Sequence, residues 1–230
     1  ALNPEGYITE NTYDGAGRLI ETISYAGETD VELRASGSLA ALISSISVNP
    51  SENRIARNVY NGAGLLRFAI DPEGTVTEYV YVNKTLDRID GKVRETIVYA
   101  NALTMEPTSW ELNDVEAAVA SIASPIDDRH SFAIYNPDGQ HMFSIEPNGA
   151  VTQMHYDAAG RVIKTVQTAI PKTNTDDLGP EGYQRYVKLQ TFAAVAATSY
   201  DRINRTYYSA GGQVLYTVDG ENQVTGFEYD

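Results

Sequence analysis

The stretch "YDAAGRVIKTV" at residues 156–166 returns with few changes as "YDGAGRLIETI" at residues 13–23. Looser copies of the same stretch begin at Tyr60, Tyr135 and Tyr208. Self-similarity at a fixed spacing is the mark of a repeat architecture, in which each copy is one structural unit. The repeats therefore constrain the fold more strongly than any single segment of the chain.

A short period of 21 residues separates the tyrosines of each pair. The pairs are Tyr60 with Tyr81, Tyr135 with Tyr156, and Tyr208 with Tyr229. Between the two tyrosines, a glycine comes four residues after the first, and an acidic residue comes at eleven. These positions are held by Gly64, Gly139 and Gly212, and by Asp71, Glu146 and Asp219.

This repeated pattern predicts an antiparallel β-meander. Short segments rich in Val, Ile, Thr and Tyr alternate with turn signals every ten or eleven residues. The turns "DPEG" and "EPNG" place Pro second and Gly last, and Gly supplies the positive φ that ends a type I turn with a bulge. In the third copy Asn222 stands at the position of Gly74 and Gly149, and Asn tolerates that conformation.

A longer period divides the chain into units of about 70 residues. We predict repeat units at residues 1–68, 69–143 and 144–216, with residues 217–230 opening a fourth unit of a longer chain. The hairpin after Tyr81, "VNKTLDRIDGK", is longer than its counterparts.

Each unit carries an insert whose apolar residues recur at helical spacing, which predicts one helix per unit. Pro50 and Pro125 are expected to stop the first two helices. The apolar positions of the three inserts are Leu39, Leu42, Ile43 and Ile46; Val115, Ala118, Val119 and Ile122; and Tyr186, Leu189, Phe192, Ala193 and Ala196.

An arginine stands six residues before the tyrosine that follows each insert: Arg54, Arg129 and Arg202. A row of arginines could bind a ligand. We expect instead that each one anchors the returning insert through an ion pair or a carbonyl contact.

Composition excludes several classes of function. The net charge is −14, which disfavours binding to the phosphate backbone of nucleic acids. The chain has no cysteine, so it has neither disulfides nor thiolate metal sites. No apolar run approaches the length of a membrane span, and no signal peptide or cofactor-binding motif is present.

The pattern Tyr-Asp-x-x-Gly-Arg, followed by a turn and a second Tyr, resembles the YD repeat of RHS-repeat proteins. Partial matches begin at Tyr60, Tyr135, Tyr208 and Tyr229. The fullest matches are Tyr13, Asp14, Gly17 and Arg18, and Tyr156, Asp157, Gly160 and Arg161.

This resemblance implies a curved sheet, a solenoid or a segment of a hollow shell. Bacterial members of the family include polymorphic toxins and shell-forming subunits of insecticidal toxin complexes, and animal teneurins use a similar shell in adhesion. Members are secreted or lie at the cell surface. The aspartates of the family's self-cleaving core segment have no counterpart here, so we carry over no catalytic residue.

Two binding hypotheses have simpler structural alternatives. The tyrosine row could stack on sugars, but stacking across neighbouring strands accounts for it, and we expect the motif tyrosines to be mostly buried. Repeated acids such as Asp14, Asp71, Glu146 and Asp157 could bind calcium. However, calcium needs six to eight oxygens at one point, whereas these acids occur singly in turns that favour them.

No combination of residues predicts an enzyme. His130, His141 and His155 lack metal-ligand spacing, and the neighbouring acids Asp127-Asp128 and Asp176-Asp177 read as solvated loop residues. We therefore predict a structural wall segment that helps to enclose a C-terminal toxin domain. The alternative is a cell-surface module that binds glycan or protein, and a hydrolase is a distant third.

Overall fold

A computed structural model describes residues 1–47, 49–81, 91–168 and 201–230. Thirteen antiparallel strands form one sheet in which the spatial order of the strands is their order in the chain. The strands are β1 (Tyr7–Tyr13), β2 (Leu19–Glu28), β3 (Arg54–Tyr60), β4 (Leu66–Ile70), β5 (Val76–Tyr81), β6 (Val93–Val98), β7 (Arg129–Tyr135), β8 (His141–Ile145), β9 (Val151–Tyr156), β10 (Val162–Gln167), β11 (Arg202–Tyr208), β12 (Val214–Val218) and β13 (Val224–Gly226). The predicted β-meander is confirmed.

The turns have the predicted chemistry. In the β3–β4 turn, the Gly64 amide donates to the Asn61 carbonyl at 2.8 Å, and Gly64 has φ +79°. The register shifts by one residue beside it, between Val59 and Tyr60, which is the predicted bulge. Asn222 also takes the left-handed conformation, with φ +63°. A positive φ therefore ends the turn in each copy of the hairpin.

Two helices lie in the inserts of the described part of the chain: α1 (Leu39–Ser44) and α2 (Leu112–Ile122). Helix α2 matches its predicted apolar face, since Val115 and Val119 are buried. Helix α1 is shorter than predicted and ends before Ile46. Both helices end before the prolines that were expected to stop them, and Pro50 begins a short 3-10 turn, Pro50–Glu52.

Two predicted features lie outside the described residues. They are the third insert helix around Tyr186 and Leu189, and most of the long hairpin after Tyr81. Within the described ranges, no helix is long and apolar enough to cross a membrane.

The chain divides into two compact units, and the first comprises residues 1–79 and 97–128. Its core joins the sheet to the second insert: Val59, Phe68 and Val76 pack with Val115 and Val119 of α2. The insert thus covers the strands that precede it in the chain. An amphipathic helix and a half-apolar sheet each bury the face that the other leaves open.

The insert enters this core over the turn glycine of the preceding hairpin. The Leu103 amide donates to the Gly74 carbonyl at 2.8 Å, and a Cβ on Gly74 would lie 2.8 Å from the Leu103 carbonyl oxygen. In the first insert, the Thr29 amide donates to the Gly6 carbonyl in the same way, at 2.9 Å. Glycine is needed here for close approach as well as for its φ.

The second compact unit comprises residues 80–96 and 129–230. Its core repeats that of the first unit at equivalent strand positions, and consists of Phe132, Ile134, Phe143, Ile145 and Val151. On β11, β12 and β13, the residues at the equivalent positions are exposed: Tyr207 by 50%, Tyr216 by 52% and Val224 by 65%.

The contact at Gly74 makes a testable prediction. We expect Gly74→Ala to lower the free energy of unfolding by roughly 1–3 kcal/mol. An alanine is strained at the positive φ of this position, and its methyl group would also clash with the Leu103 carbonyl oxygen. Gly17 has φ +76° but open space around it, so Gly17→Ala is expected to cost about 1 kcal/mol from backbone strain alone.

Chemical denaturation of the two variants measures the difference. Gly62→Ala is the control, because Gly62 has open space and no positive φ. Equal losses for Gly74→Ala and Gly17→Ala would show that the contact with the insert contributes nothing.

Candidate functional site

The Tyr-Asp-x-x-Gly-Arg hairpin is organised by its aspartate. Asp14 Oδ1 accepts the amides of Ala16 and Arg18, each at 2.9 Å. Its Oδ2 accepts the Arg18 guanidinium through Nε and Nη2, each at 2.6 Å. One carboxylate therefore closes the turn through Oδ1 and holds the arginine by two charge-assisted hydrogen bonds to Oδ2.

The second full motif has the same geometry. Asp157 Oδ1 accepts the amides of Ala159 and Arg161 at 2.9 and 3.0 Å, and Oδ2 pairs with Arg161 Nε and Nη2 at 2.8 and 2.6 Å. In both copies the hydrogen bonds from the backbone and side chain of the arginine hold the pKa of the aspartate below its ordinary value.

The fixed arginine stacks on the tyrosine that opens the next hairpin. Arg18 Cζ lies 4.6 Å from the centre of the Tyr60 ring, and the Tyr60 hydroxyl donates to the Leu19 carbonyl at 3.0 Å. Arg161 and Tyr208 repeat the contact at 4.5 Å. A cation over a tyrosine face is attracted by the ring quadrupole. The motif thus links adjacent hairpins, and we call this contact between a cation and the tyrosine of the next hairpin the tie.

The middle unit has this tie without the motif. Lys92 Nζ lies 5.2 Å from the centre of the Tyr135 ring, and the Tyr135 hydroxyl donates to the Val93 carbonyl at 3.1 Å. Gly91, with φ +75°, occupies the position of Gly17. Sequence reasoning missed Lys92, although the aligned segments "GRLIETI" and "GKVRETI" carried the signal.

The prediction that motif tyrosines are mostly buried was right only in part. Tyr60, Tyr81, Tyr135, Tyr156 and Tyr208 are half-buried, and none belongs to either apolar core. The two at the ends are exposed, Tyr13 by 56% and Tyr229 by 50%. The half-buried position follows from the hydroxyl, which reaches a strand carbonyl and keeps the ring at the rim of the core.

The predicted arginine anchors need correction. Arg54 and Arg202 do form ion pairs, but with glutamates of the following turns, Glu73 at 2.5 Å and Glu221 at 4.0 Å, on exposed surface. The residue before the arginine makes the anchor: Asn53 accepts the Ala26 amide at 3.0 Å, and Asp128 accepts the Ala100 amide at 2.9 Å. A short side chain reaches that backbone, whereas the long arginine extends past it into solvent.

The acidic and amide side chains of the turns accept hydrogen bonds from backbone amides. Asp71 Oδ1 accepts the amides of Glu73 and Thr75 at 2.9 and 2.8 Å. At the equivalent turn of the next copy, Asn148 rather than Glu146 bonds the backbone, accepting the Ala150 amide at 3.0 Å. Among the described residues, no group of three His, Asp or Glu side chains could hold a metal ion.

The histidines have separate environments. His130 Nδ1 lies 2.8 Å from Glu95 Oε1, and His141 Nε2 lies 2.9 Å from the Phe143 carbonyl. His155 Nε2 is buried and has no hydrogen-bond partner. Burial lowers the pKa of both His141 and His155, with smaller contributions from Lys92 and Lys164 respectively.

A buried acid lies in the first compact unit, and sequence reasoning did not single it out. Glu78 pairs with Arg67 at 2.7 Å and accepts the hydroxyl of Tyr99, whose pKa is raised by burial and by that hydrogen bond. At the same positions of the first repeat, Glu10 accepts the Tyr25 hydroxyl at 2.7 Å, and burial raises the pKa of Tyr25 to about 12.

The third repeat replaces both partners together, with Gln153 for the glutamate and Thr168 for the tyrosine. Their joint change was visible in the aligned sequence. Glu10 and Glu78 each accept a tyrosine hydroxyl, and Glu78 also pairs with Arg67. These contacts stabilise the inserts and leave neither of the two carboxylates available for proton transfer.

The first compact unit has a pocket of about 440 Å³ beside the first motif. Its lining includes Arg18 and Tyr60 of the tie, together with Arg57 and Trp110. Arg57 lies 4.2 Å above the Trp110 ring and pairs with Glu21 at 2.9 Å. Both arginines that line this pocket are therefore paired with a lining carboxylate, Arg18 with Asp14 and Arg57 with Glu21.

No protein-family profile and no curated protein matches the chain. Solved structures do match. A chain of the Tc holotoxin pore of Photorhabdus luminescens aligns over 94% of this chain and 8% of its own, with 10% identity and a TM-score of 0.54.

A crystal structure of TcdB2-TccC3-TEV aligns over 96% of this chain and 11% of its own, with 12% identity and a TM-score of 0.45. The chain thus has the fold of a small part of a Tc holotoxin chain.

The charge pair of the motif makes a pH-dependent prediction. The pKa of Asp157 is lowered in the folded state, so its contribution to stability is present above its ordinary value of 3.8 and lost as the pH falls through the lowered value. Asp157→Asn keeps a side-chain oxygen that can accept the backbone amides of the turn, and it removes the negative charge. We expect it to melt below the parent at pH 7, with the gap closing below about pH 4.

Asn136→Asp is the matched control, because residue 140 of that hairpin is Gln and offers no cation. Melts from pH 7 down to acid compare the variants. A gap between Asp157→Asn and the parent that persists in acid would contradict the charge pair.

The tyrosine hydroxyl can be tested separately. Tyr60→Phe keeps the ring under Arg18 and removes the bond to the Leu19 carbonyl, so we expect a loss of about 1 kcal/mol in the free energy of unfolding. Tyr13→Phe is the control, since Tyr13 is exposed and its hydroxyl makes no bond in the described structure. Equal stabilities of the two variants in urea would rule out a role for the bond.

Proposed function

We propose that the chain is a wall segment of an exported bacterial RHS-repeat protein and helps to enclose a C-terminal toxin domain. The observation that carries the proposal is the match to the Tc holotoxin chain over 94% of this chain. The YD motifs, whose arginines tie successive hairpins, support it further. In this proposal residues 1–68, 69–143 and 144–216 are successive repeats, and residues 217–230 begin the next.

The proposed partners are further repeats on both sides. Strand β13 is the last in the sheet order and offers its edge to another strand. On β1, the first strand, residues 1–3 already bond Tyr7, Ile8 and Thr9, so a further strand would pair with the rest of that edge. The exposed positions of Tyr207, Tyr216 and Val224 correspond to residues that an insert covers in the first compact unit. Additional strands and another insert would bury both features and continue the wall.

The proposed role is structural and not catalytic. In the described structure, the acids with unusual environments are held by their own arginine, tyrosine or backbone partners. Export, or a place at the cell surface, follows from the same family resemblance.

A surface-binding module is the second candidate. The observation that favours it is the group of exposed aromatic rings at one end of the sheet, Tyr207, Tyr216 and Tyr229. Exposed aromatic faces bind glycans and protein partners. In the wall proposal the same rings are covered by neighbouring repeats.

Limited proteolysis of the full-length protein distinguishes the two candidates. We expect the C-terminal domain to resist protease in the parent and to be digested rapidly after deletion of residues 69–216, because the deletion removes two repeats and opens the wall. The isolated C-terminal domain supplies the rate for full access. Equal digestion of the parent and the deletion variant would favour the binding module.

A further inference from the structure

Two cations face each other across strands β10 and β11. Lys164 is the direct cross-strand partner of Arg205. At the equivalent positions of β2 and β3, Glu21 is opposite Arg57, and the two form an ion pair at 2.9 Å. The repeat has thus kept the arginine and reversed the charge of its partner. Like charges directly opposite in a sheet repel each other.

The described structure supplies no carboxylate to this pair. Neither Lys164 nor Arg205 forms an ion pair with any described residue, although both are half-buried. On the other side of Lys164, its cross-strand partner is His155, whose Nε2 is buried without a partner. Among the described residues, the charges of Lys164 and Arg205 on these two strands therefore have no paired carboxylate.

A pocket opens where the two cations meet. It has a volume of about 380 Å³, and we call it the β10–β11 pocket. Lys164, Arg205 and the exposed ring of Tyr207 line it. Asp157, the one carboxylate in its lining, is already bound by Arg161 Nε and Nη2 through Oδ2. The pocket thus has two free cations and no free anion.

We propose that the β10–β11 pocket is an anion-binding site that holds a carboxylate or phosphate group of a small molecule between Lys164 and Arg205. The guanidinium of Arg205 offers a planar fork for two oxygens, and Lys164 adds a point charge. The Tyr207 ring forms an apolar wall for the remainder of the molecule. The bound group supplies the negative charge that Glu21 supplies in the first repeat.

The site is local in a protein whose net charge is −14. The distant field opposes an approaching anion, so binding depends on the two cations within a few ångströms. Added salt screens that distant repulsion, which acts beyond about 8–10 Å at physiological ionic strength, more than it screens the attraction of the two nearby cations. This inference does not depend on the proposed wall function.

The test measures binding of inorganic phosphate and of citrate by calorimetry at low salt, with NaCl at matched ionic strength as the baseline. We expect the parent to bind at least one of them. Arg205→Gln should bind about ten-fold or more weakly, because a charge-assisted hydrogen bond is lost. Circular dichroism checks that each variant is folded.

Lys164→Glu is the decisive variant, because it restores the charge pattern of Glu21 and Arg57 and so favours folding. We expect it to melt at a higher temperature than the parent and to lose the response to phosphate and citrate. Glu21→Lys is the matched variant in the first repeat, and it should gain a response.

The two arms identify the ligand chemistry. Binding of phosphate alone, of citrate alone or of both supports the site and assigns it to phosphates, to carboxylates or to oxyanions in general. The proposal is overturned if neither binds beyond the NaCl baseline, or if Lys164→Glu responds as the parent does.

Discussion

The contact between the motif aspartate and its arginine organises the hairpins at Asp14 and Asp157. In Asp14 and in Asp157, one carboxylate oxygen accepts backbone amides of the turn and the other accepts the guanidinium. The arginine is then held in a fixed plane, and the tyrosine of the next hairpin stacks against it. A turn of five residues thus positions a contact with a residue more than forty positions later in the chain. Each strand of a meander touches only its neighbours, so such ties carry order along the sheet.

The repeats keep this scaffold and vary the chemistry on it. Glu78 and Tyr99 form a buried pair, and in the third repeat both are replaced together, by Gln153 and Thr168. That joint change avoids leaving an ionised acid without its partner, which is costly in a core. At the β10–β11 pocket, by contrast, one partner changed sign and the other did not. The proposed anion would supply at this position the negative charge that Glu21 supplies opposite Arg57.

The inserts complete the apolar core of the repeats. Helix α2 covers strands that come before it, and its insert enters over Gly74, where a Cβ would meet the Leu103 carbonyl. The equivalent turn between β12 and β13 carries Asn222. A covering insert there would pass the turn along a different path, because Asn222 has the Cβ that Gly74 lacks. Gly74 thus permits the close approach of the insert at its own turn.

The sequence by itself determined the period, the turns, the antiparallel order and the amphipathic face of α2. These features depend on residues close in the chain, whose spacing and φ preferences are readable directly. It did not determine the half-burial of the motif tyrosines, the role of Lys92, the Asn53 and Asp128 anchors or the facing of Lys164 and Arg205. Those depend on which side chains meet across strands separated by an insert. Cross-strand register sets such meetings, and only the folded sheet has a register.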